Sequence, residues 1–199
     1  KQLQRLHEHD PVLGAWLLRG PFEQLASVLL DDTPAPQNLQ YFDKAPSSNR
    51  PTPPHQDGAY FPIVPQNAVT IWLALEDIGR DQGCVRYVRG SHRSGLRRHE
   101  RGATLGFSRE IVDYGPADVE LEQAFPCRAG HVIAHHSLTI HRAGGNESQD
   151  RHRRALGFIY FGAACRVDAV ARDEYQAQLD ADLRSAGRIE SEAPRKNSP

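Results

Sequence analysis

Apolar residues recur at intervals of three and four near the start of the chain, in "KQLQRLHEHDPVLGAWLL" (1–18) and "PFEQLASVLL" (21–30). That spacing lines one side of a 3.6-residue helix and predicts two short helices, with Pro21 at the first position of the second. After "DDTPAP" the period shortens. "NLQYFDK" (38–44), "AVTIWLALED" (68–77), "CVRYV" (84–88), "GHVIAHH" (130–136) and "RRALGFIYF" (153–161) are brief and rich in β-branched and aromatic residues. Gly, Pro, Asn and Asp bound them, as they bound the strands of a sandwich or barrel. The mixed, polar stretch 96–126 reads as an excursion over a barrel mouth. Residues 171–187 read as a closing helix, followed by a frayed tail. With no internal repeat and no βαβ alternation, the predicted architecture is mainly β with flanking helices, a jelly roll. One domain over 1–199 is expected: N-terminal helices over 1–36, a jelly-roll core over 37–165, and a C-terminal helix and tail over 166–199.

Composition narrows the classes. Hydrophobic residues make 39% and charged ones 25% of 199 residues, ordinary proportions for a globular domain. The net charge of −1 offers no general attraction to nucleic acid or an anionic membrane, and no apolar run approaches the ~20 residues of a membrane span. Neither is expected as a partner, and oligomeric state leaves no mark on the pattern. Three separated cysteines (Cys84, Cys127, Cys165) without a CxxC pair read as reduced thiols of a cytoplasmic protein. The absence of methionine makes a trimmed N-terminus the expectation.

The chemistry concentrates in "PTPPHQDGAYFP" (51–62). Residues two apart on a strand share a face, so His55 and Asp57 present an imidazole and a carboxylate together. Two histidines and one carboxylate on one face of an octahedron are the donor set of non-haem Fe(II) oxygenases, which leaves three positions open. In a chain with 10 histidines, an isolated HxD also reads as a loop histidine capped by an aspartate. A third ligand has to come from a distant strand. His131, His135, His136 and His141 are all on offer in "GHVIAHHSLTIHRAGGN" (130–146), and composition does not choose among them.

Three blocks, "PPHQDGAYFP", "TIWLALEDIGRDQGCVRYVRGSH" and "HHSLTIHRAGGNESQDRHRRA", resemble in order the motif blocks of the phytanoyl-CoA dioxygenase family, over roughly residues 37–165. The resemblance implies a double-stranded β-helix and an oxygenase using Fe(II), 2-oxoglutarate and O₂. Such an enzyme would hydroxylate a small organic molecule, acyl-CoA or natural-product-like, and release succinate and CO₂. It implies His141, five before Asn146, as the distal ligand beside His55 and Asp57, and His136 as a non-ligand. It also implies Arg153 as the anchor for the far carboxylate of 2-oxoglutarate, Arg154 outside, Trp72 lining the cosubstrate pocket and Gln40 as a further contact. An arginine fork suits a carboxylate, and alternation puts Arg153 on one face with the small residues Ala155 and Gly157. Two features depart from the family pattern. Ala143 stands where a serine commonly assists the far carboxylate, and the segment from His141 to Arg153 is one residue longer.

Gln56, Tyr60 and Phe61 are then expected near the iron. Arg93, Arg97, Arg98 and Arg101 read either as a solvated basic loop, the commoner case, or as a receiver for an anionic substrate such as a CoA thioester or another phosphate or carboxylate. A carboxylate at position 57 argues against halogenation, which needs a small residue there. The other readings are a non-catalytic jelly-roll small-molecule-binding protein and a non-oxidative cupin-type metalloenzyme, although no HxH occurs at the first block. No GxSxG, HExxH or P-loop is present.

Overall fold

A computed structural model describes residues 1–101 and 109–185. In chain order its strands are β1 (Gln2–Leu3), β2 (Pro34–Lys44), β3 (Thr52–His55), β4 (Ile63–Val64), β5 (Ala68–Ala74), β6 (Val85–Val88) and β7 (His99–Arg101). There follow β8 (Arg109–Ile111), β9 (Glu122–Phe125), β10 (Val132–His136), β11 (His141–Ala143), β12 (Arg153–Gly162) and β13 (Arg166–Val167). The helices are α1 (Pro11–Arg19), α2 (Pro21–Leu30), α3 (Pro116–Glu120) and α4 (Ala169–Ser185).

Two antiparallel sheets carry the architecture, one in the order β1-β2-β12-β5-β10 and one in the order β3-β11-β6-β9. Along the chain β2, β5, β10 and β12 of the larger sheet are interleaved with β3, the pair β6 and β9, and β11 of the smaller one, which is the predicted jelly roll. The two faces of the larger sheet bury different things. Leu39, Val69, Ile71, Leu156, Phe158 and Tyr160 point outward and pack under Leu17, Ala26 and Leu30 of the two N-terminal helices. Trp72, Ala74 and Ala155 point inward, toward Val85 and Tyr87 of the smaller sheet. Period-two alternation along β5 and β12 separates the sets.

Three departures from the sequence expectations have a common cause in proline. The first helix does not run over 1–18. Asp10 accepts hydrogen bonds from the Val12 and Leu13 amides at 2.8 and 3.0 Å, and Pro11 takes the first helical position. A proline there starts a helix but cannot lie inside one, so the chain upstream turns away and Gln2–Leu3 pairs with Tyr41–Phe42. β2 begins at Pro34 rather than at 38, and β3 contains Pro53 and Pro54. Both are tolerated because the strands have an open edge there: β1 covers only Tyr41–Phe42, and β3 is the border of its sheet.

His135 and His141 lie in opposite sheets. β10 ends at His136, a turn follows, and His141 opens β11 in the opposite sheet. The predicted 96–126 excursion holds the β7–β8 hairpin, α3 and β9. Residues 102–108 and the predicted tail lie outside the described residues. Among the described residues no helix is long and apolar enough to cross a membrane.

Candidate metal centre

His55 is the last residue of β3, and Gln56 continues extended (φ −120°, ψ 132°). Asp57 then opens a one-turn 3₁₀ helix, so it is not on the strand as simple alternation assumes. The extended Gln56 between them still leaves both side chains on one side. β11 lies between β3 and β6, with His141 directly opposite His55 on one flank and Tyr87 on the other. Directly opposed residues share a face. The ligand atoms of His55, Asp57 and His141 consequently lie within 4.8 Å of one another. Asp57 Oδ1 is 3.7 Å from His55 Nε2 and 3.6 Å from His141 Nε2.

The histidine tautomers follow from their partners. His55 Nδ1 is 2.8 Å from the Pro53 carbonyl and His141 Nδ1 is 3.0 Å from the Thr139 carbonyl. A carbonyl only accepts, so each Nδ1 carries the proton and each unprotonated Nε2 turns to the common centre. Burial pushes both imidazoles below their ordinary pKa, with neighbouring histidines adding to it, so both are neutral at neutral pH. For Asp57 burial works upward, but His141, His135 and His55 together outweigh it and hold the carboxyl well below its usual range. Its Oδ2 accepts from Thr70 Oγ1 at 2.6 Å and from His135 Nε2 at 3.1 Å. Two neutral nitrogens and one ionised oxygen, converging inside a sheltered mouth, form a donor set suited to iron.

Deeper between the sheets, Arg153 is 5% exposed and Arg154 faces solvent, where Glu76 pairs with it at 2.9 Å. Arg153 forms no ion pair among the described residues. Its Nε reaches only the Gly83 carbonyl at 3.3 Å, and its guanidinium carbon lies 5.3 Å from the Trp72 ring centre. Burial lowers its pKa to about 10, so it keeps its charge at neutral pH. Gly83 seats the contact. Its φ is +68°, and a Cβ there would meet the Gly144 carbonyl at 2.4 Å, so only glycine fits. Gly157 stands between Gln40 and Trp72 in register. A side chain there would press on Phe42, whose Cε2 lies 3.0 Å from the position of an added Cβ. Gln40 faces the same interior, with its side-chain Oε1 accepting from Gln2 Nε2 at 3.1 Å.

The family model described as phytanoyl-CoA dioxygenase (PhyH) matches residues 2–155. The chain belongs to the phytanoyl-CoA dioxygenase family. A phytanoyl-CoA dioxygenase of Arabidopsis thaliana is 34% identical over 158 residues, covering 77% of this chain and 54% of the relative. The peroxisomal phytanoyl-CoA dioxygenase of Bos taurus is 33% identical over 149 residues, covering 69% and 43%. The chain thus spans about half the length of the curated relatives it matches. Among solved structures, EvdO2 from Micromonospora carbonacea var. aurantiaca, complexed with 2-oxoglutarate, gives a TM-score of 0.70 at 25% identity, over 85% of this chain and 69% of that one. SnoK, an alpha ketoglutarate dependent carbocyclase from nogalamycin biosynthesis, gives 0.71 at 25% identity, over 99% and 73%.

Within this phytanoyl-CoA dioxygenase family member, the histidines left open by the sequence have other partners. His135 reaches Asp57 and Tyr87, His136 Nδ1 accepts from the Leu138 amide at 3.1 Å, and His131 Nδ1 lies 3.3 Å from the Arg128 amide. Other expectations need correction. Gln56 offers no amide to the metal mouth. It is fully buried with its side chain on the Gly95 and Leu138 carbonyls and the Arg97 amide, because the middle residue of HxD faces the other way. Tyr60 does stand by the site, its ring 6.1 Å from that of His55, but Phe61 packs on Phe161 at 5.0 Å. Arg97 is held by Asp113 and Asp118 at 2.8 and 2.7 Å, and Arg98 by Glu100. These two are therefore neutralised rather than waiting for a substrate anion. Arg93 is on the surface, and the Arg101 side chain lies outside the described residues.

Sequence reasoning missed Lys44. It sits directly across from Arg153 on the β2–β12 pair, and its Nζ donates to the Gly144 carbonyl at 2.5 Å and the Arg50 carbonyl at 3.1 Å. Burial first, then the Arg153 charge, lowers its pKa to about 7. Period two in "QYFDK" already put Gln40, Phe42 and Lys44 on one face. The missing piece was the cross-strand register.

Proposed function

We propose that the protein is an Fe(II)- and 2-oxoglutarate-dependent oxygenase that hydroxylates a small organic molecule. The observation that carries this reading is the convergence of His55 Nε2, Asp57 Oδ1 and His141 Nε2, with both Nδ1 atoms held by backbone carbonyls. His55, Asp57 and His141 would hold the iron. Bound iron with 2-oxoglutarate and O₂ supplies the oxidation, converting the keto acid to succinate and CO₂.

The rest is positioning by the chain. Arg153 would receive the far carboxylate of 2-oxoglutarate through its fork, with Lys44 as a second cation beside it. A buried Arg153 and a half-buried Lys44, like charges facing each other across a strand pair, are unfavourable until an anion lies between them. Lys44, donating to Gly144 next to Ala143, stands in the region where the family commonly places a serine. Trp72 would wall the cosubstrate, and Gln40 would border it across the gap left by Gly157. Asp57 supports hydroxylation over halogenation. Acyl-CoA and natural-product scaffolds are both candidate substrates. The free state of Cys84, Cys127 and Cys165 supports a reducing, cytoplasmic setting.

Anaerobic addition of Fe(II) and then 2-oxoglutarate should produce the visible charge-transfer band of a chelated keto acid. Admitting O₂ with a panel of acyl-CoA and natural-product scaffolds should release succinate and one hydroxylated product. Iron binding with no response to 2-oxoglutarate would favour the cupin-type reading.

A further inference from the structure

We propose that His135, oriented by Tyr87, is a positioning residue that holds Oδ2 of Asp57 away from the metal so that Oδ1 alone faces it. The inference rests on the iron site proposed above. Tyr87 OH lies 2.9 Å from His135 Nδ1, and His135 Nε2 lies 3.1 Å from Asp57 Oδ2. An ionised carboxylate only accepts, so His135 Nε2 donates to it. Nδ1 is then the acceptor and the tyrosine hydroxyl its donor. Burial raises the Tyr87 pKa, so the phenol keeps the proton that it donates.

The topology makes this chain a unit. Tyr87 on β6 faces His141 on β11, while His135 on β10 comes from the opposite sheet, its ring 4.5 Å from that of His141. His135 thereby bridges the two sheets at the level of the ligands. Thr70, opposite His135 on the paired strand β5, adds its hydroxyl to the same oxygen at 2.6 Å. With Oδ2 held by two donors, Asp57 offers a single oxygen to a metal. One oxygen and two imidazoles leave three octahedral positions open, whereas a chelating carboxylate would leave two. A bidentate keto acid and O₂ together require three. The same geometry shows why His135 is not itself a ligand, since its inward nitrogen bears a proton.

Fe(II) affinity of the intact chain, measured anaerobically by competition with a chelator, tests this. His135→Phe should weaken it about 10- to 100-fold, the usual range for a partner that orients a metal ligand. Tyr87→Phe should weaken it less, and the double variant should match His135→Phe, because tyrosine acts only through the histidine. His135→Gln, which restores a donor, should recover part of the loss. With iron saturating, His135→Phe should also bind 2-oxoglutarate more weakly, since a freed Oδ2 competes for a position that the keto acid needs. A misfolded His135→Phe is recognised by its unfolding curve, and His135→Gln against Tyr87→Phe then carries the comparison. Wild-type iron affinity in His135→Phe, or effects of the two single variants that multiply in the double, would overturn the proposal while leaving the iron site intact. Absence of iron binding in the wild type would instead defeat the site reading itself.

Discussion

The two faces of the β2–β12–β5 sheet share backbone, strands and register, yet they are built to different ends. Outward, β12 contributes Leu156, Phe158 and Tyr160 to an apolar layer closed by α1 and α2, and the Tyr160 hydroxyl donates to the Leu17 carbonyl at 2.9 Å. Inward, the same strand contributes Arg153, Ala155 and Gly157, which sit with Lys44, Trp72 and Thr70 opposite the histidines. One face gains free energy from area removed from water. The other carries a buried charge, hydrogen-bonded polar groups and the small residues Ala155 and Gly157, which gain less from burial. The lesson is a division of labour at a period of two: the helix-covered face stabilises the sheet sufficiently for the inner face to carry the charged and polar groups of the proposed site.

The largest expected effect separates the faces directly. Phe158→Ala should cost about 3–5 kcal/mol of stability by chemical denaturation, with 2-oxoglutarate affinity unchanged in the protein that remains folded. A fall in that affinity would show the faces to be coupled.

Arg153→Ala should do the reverse. Loss of a charged partner in a sheltered site costs about 2–5 kcal/mol, so 2-oxoglutarate should bind roughly 30- to several-thousand-fold more weakly. The ligand-free protein should unfold at the same denaturant concentration or a higher one, because the like charge that faces Lys44 is gone. Marked destabilisation without ligand would show that Arg153 belongs to the packing.

Lys44 sharpens the comparison through pH. Its folded pKa is about 7, against about 10.4 when exposed. Below the lower value both states hold the proton; between the two, the unfolded chain holds it and the folded one does not. Stability of the ligand-free protein should therefore rise as pH increases from about 7 toward 10. Lys44→Met should remove most of that slope in a thermal-melt series. An unchanged slope would assign it to other groups.

The smallest effect belongs to the neighbour of the proposed anchor. Arg154→Ala should change stability by no more than about 1 kcal/mol, as expected for an exposed pair with Glu76, and leave 2-oxoglutarate binding alone. Equal sensitivity of Arg153 and Arg154 would mean that the register of β12 has been misread.

Much of the fold was legible because alternation is local. The central strands β5, β6, β10 and β12 announced themselves by branched and aromatic residues, and Arg153 against Arg154 followed from counting by two. Strands at open edges were not legible: Pro34, Pro36, Pro53 and Pro54 remove the amides that a pattern reader associates with a strand, and their permissibility depends on which neighbour is missing. The HxD pair was visible as a pair, but Asp57 reaches its place through a 3₁₀ turn rather than along the strand.

By itself the sequence determined the period of each segment, the inventory of donors and the order of the three motif blocks, since these depend only on neighbours along the chain. Choosing His141 over His135 needed the motif spacing; the residues around each histidine did not distinguish them. Only tertiary structure decided that His135 meets Asp57 and Tyr87, that Gln56 turns away, that Arg97 pairs with Asp113 and Asp118, and that Lys44 faces Arg153. Each depends on register between strands or loops tens of residues apart. A shift of one residue across a strand pair reverses which face a side chain occupies, and no local pattern encodes which partner lies opposite.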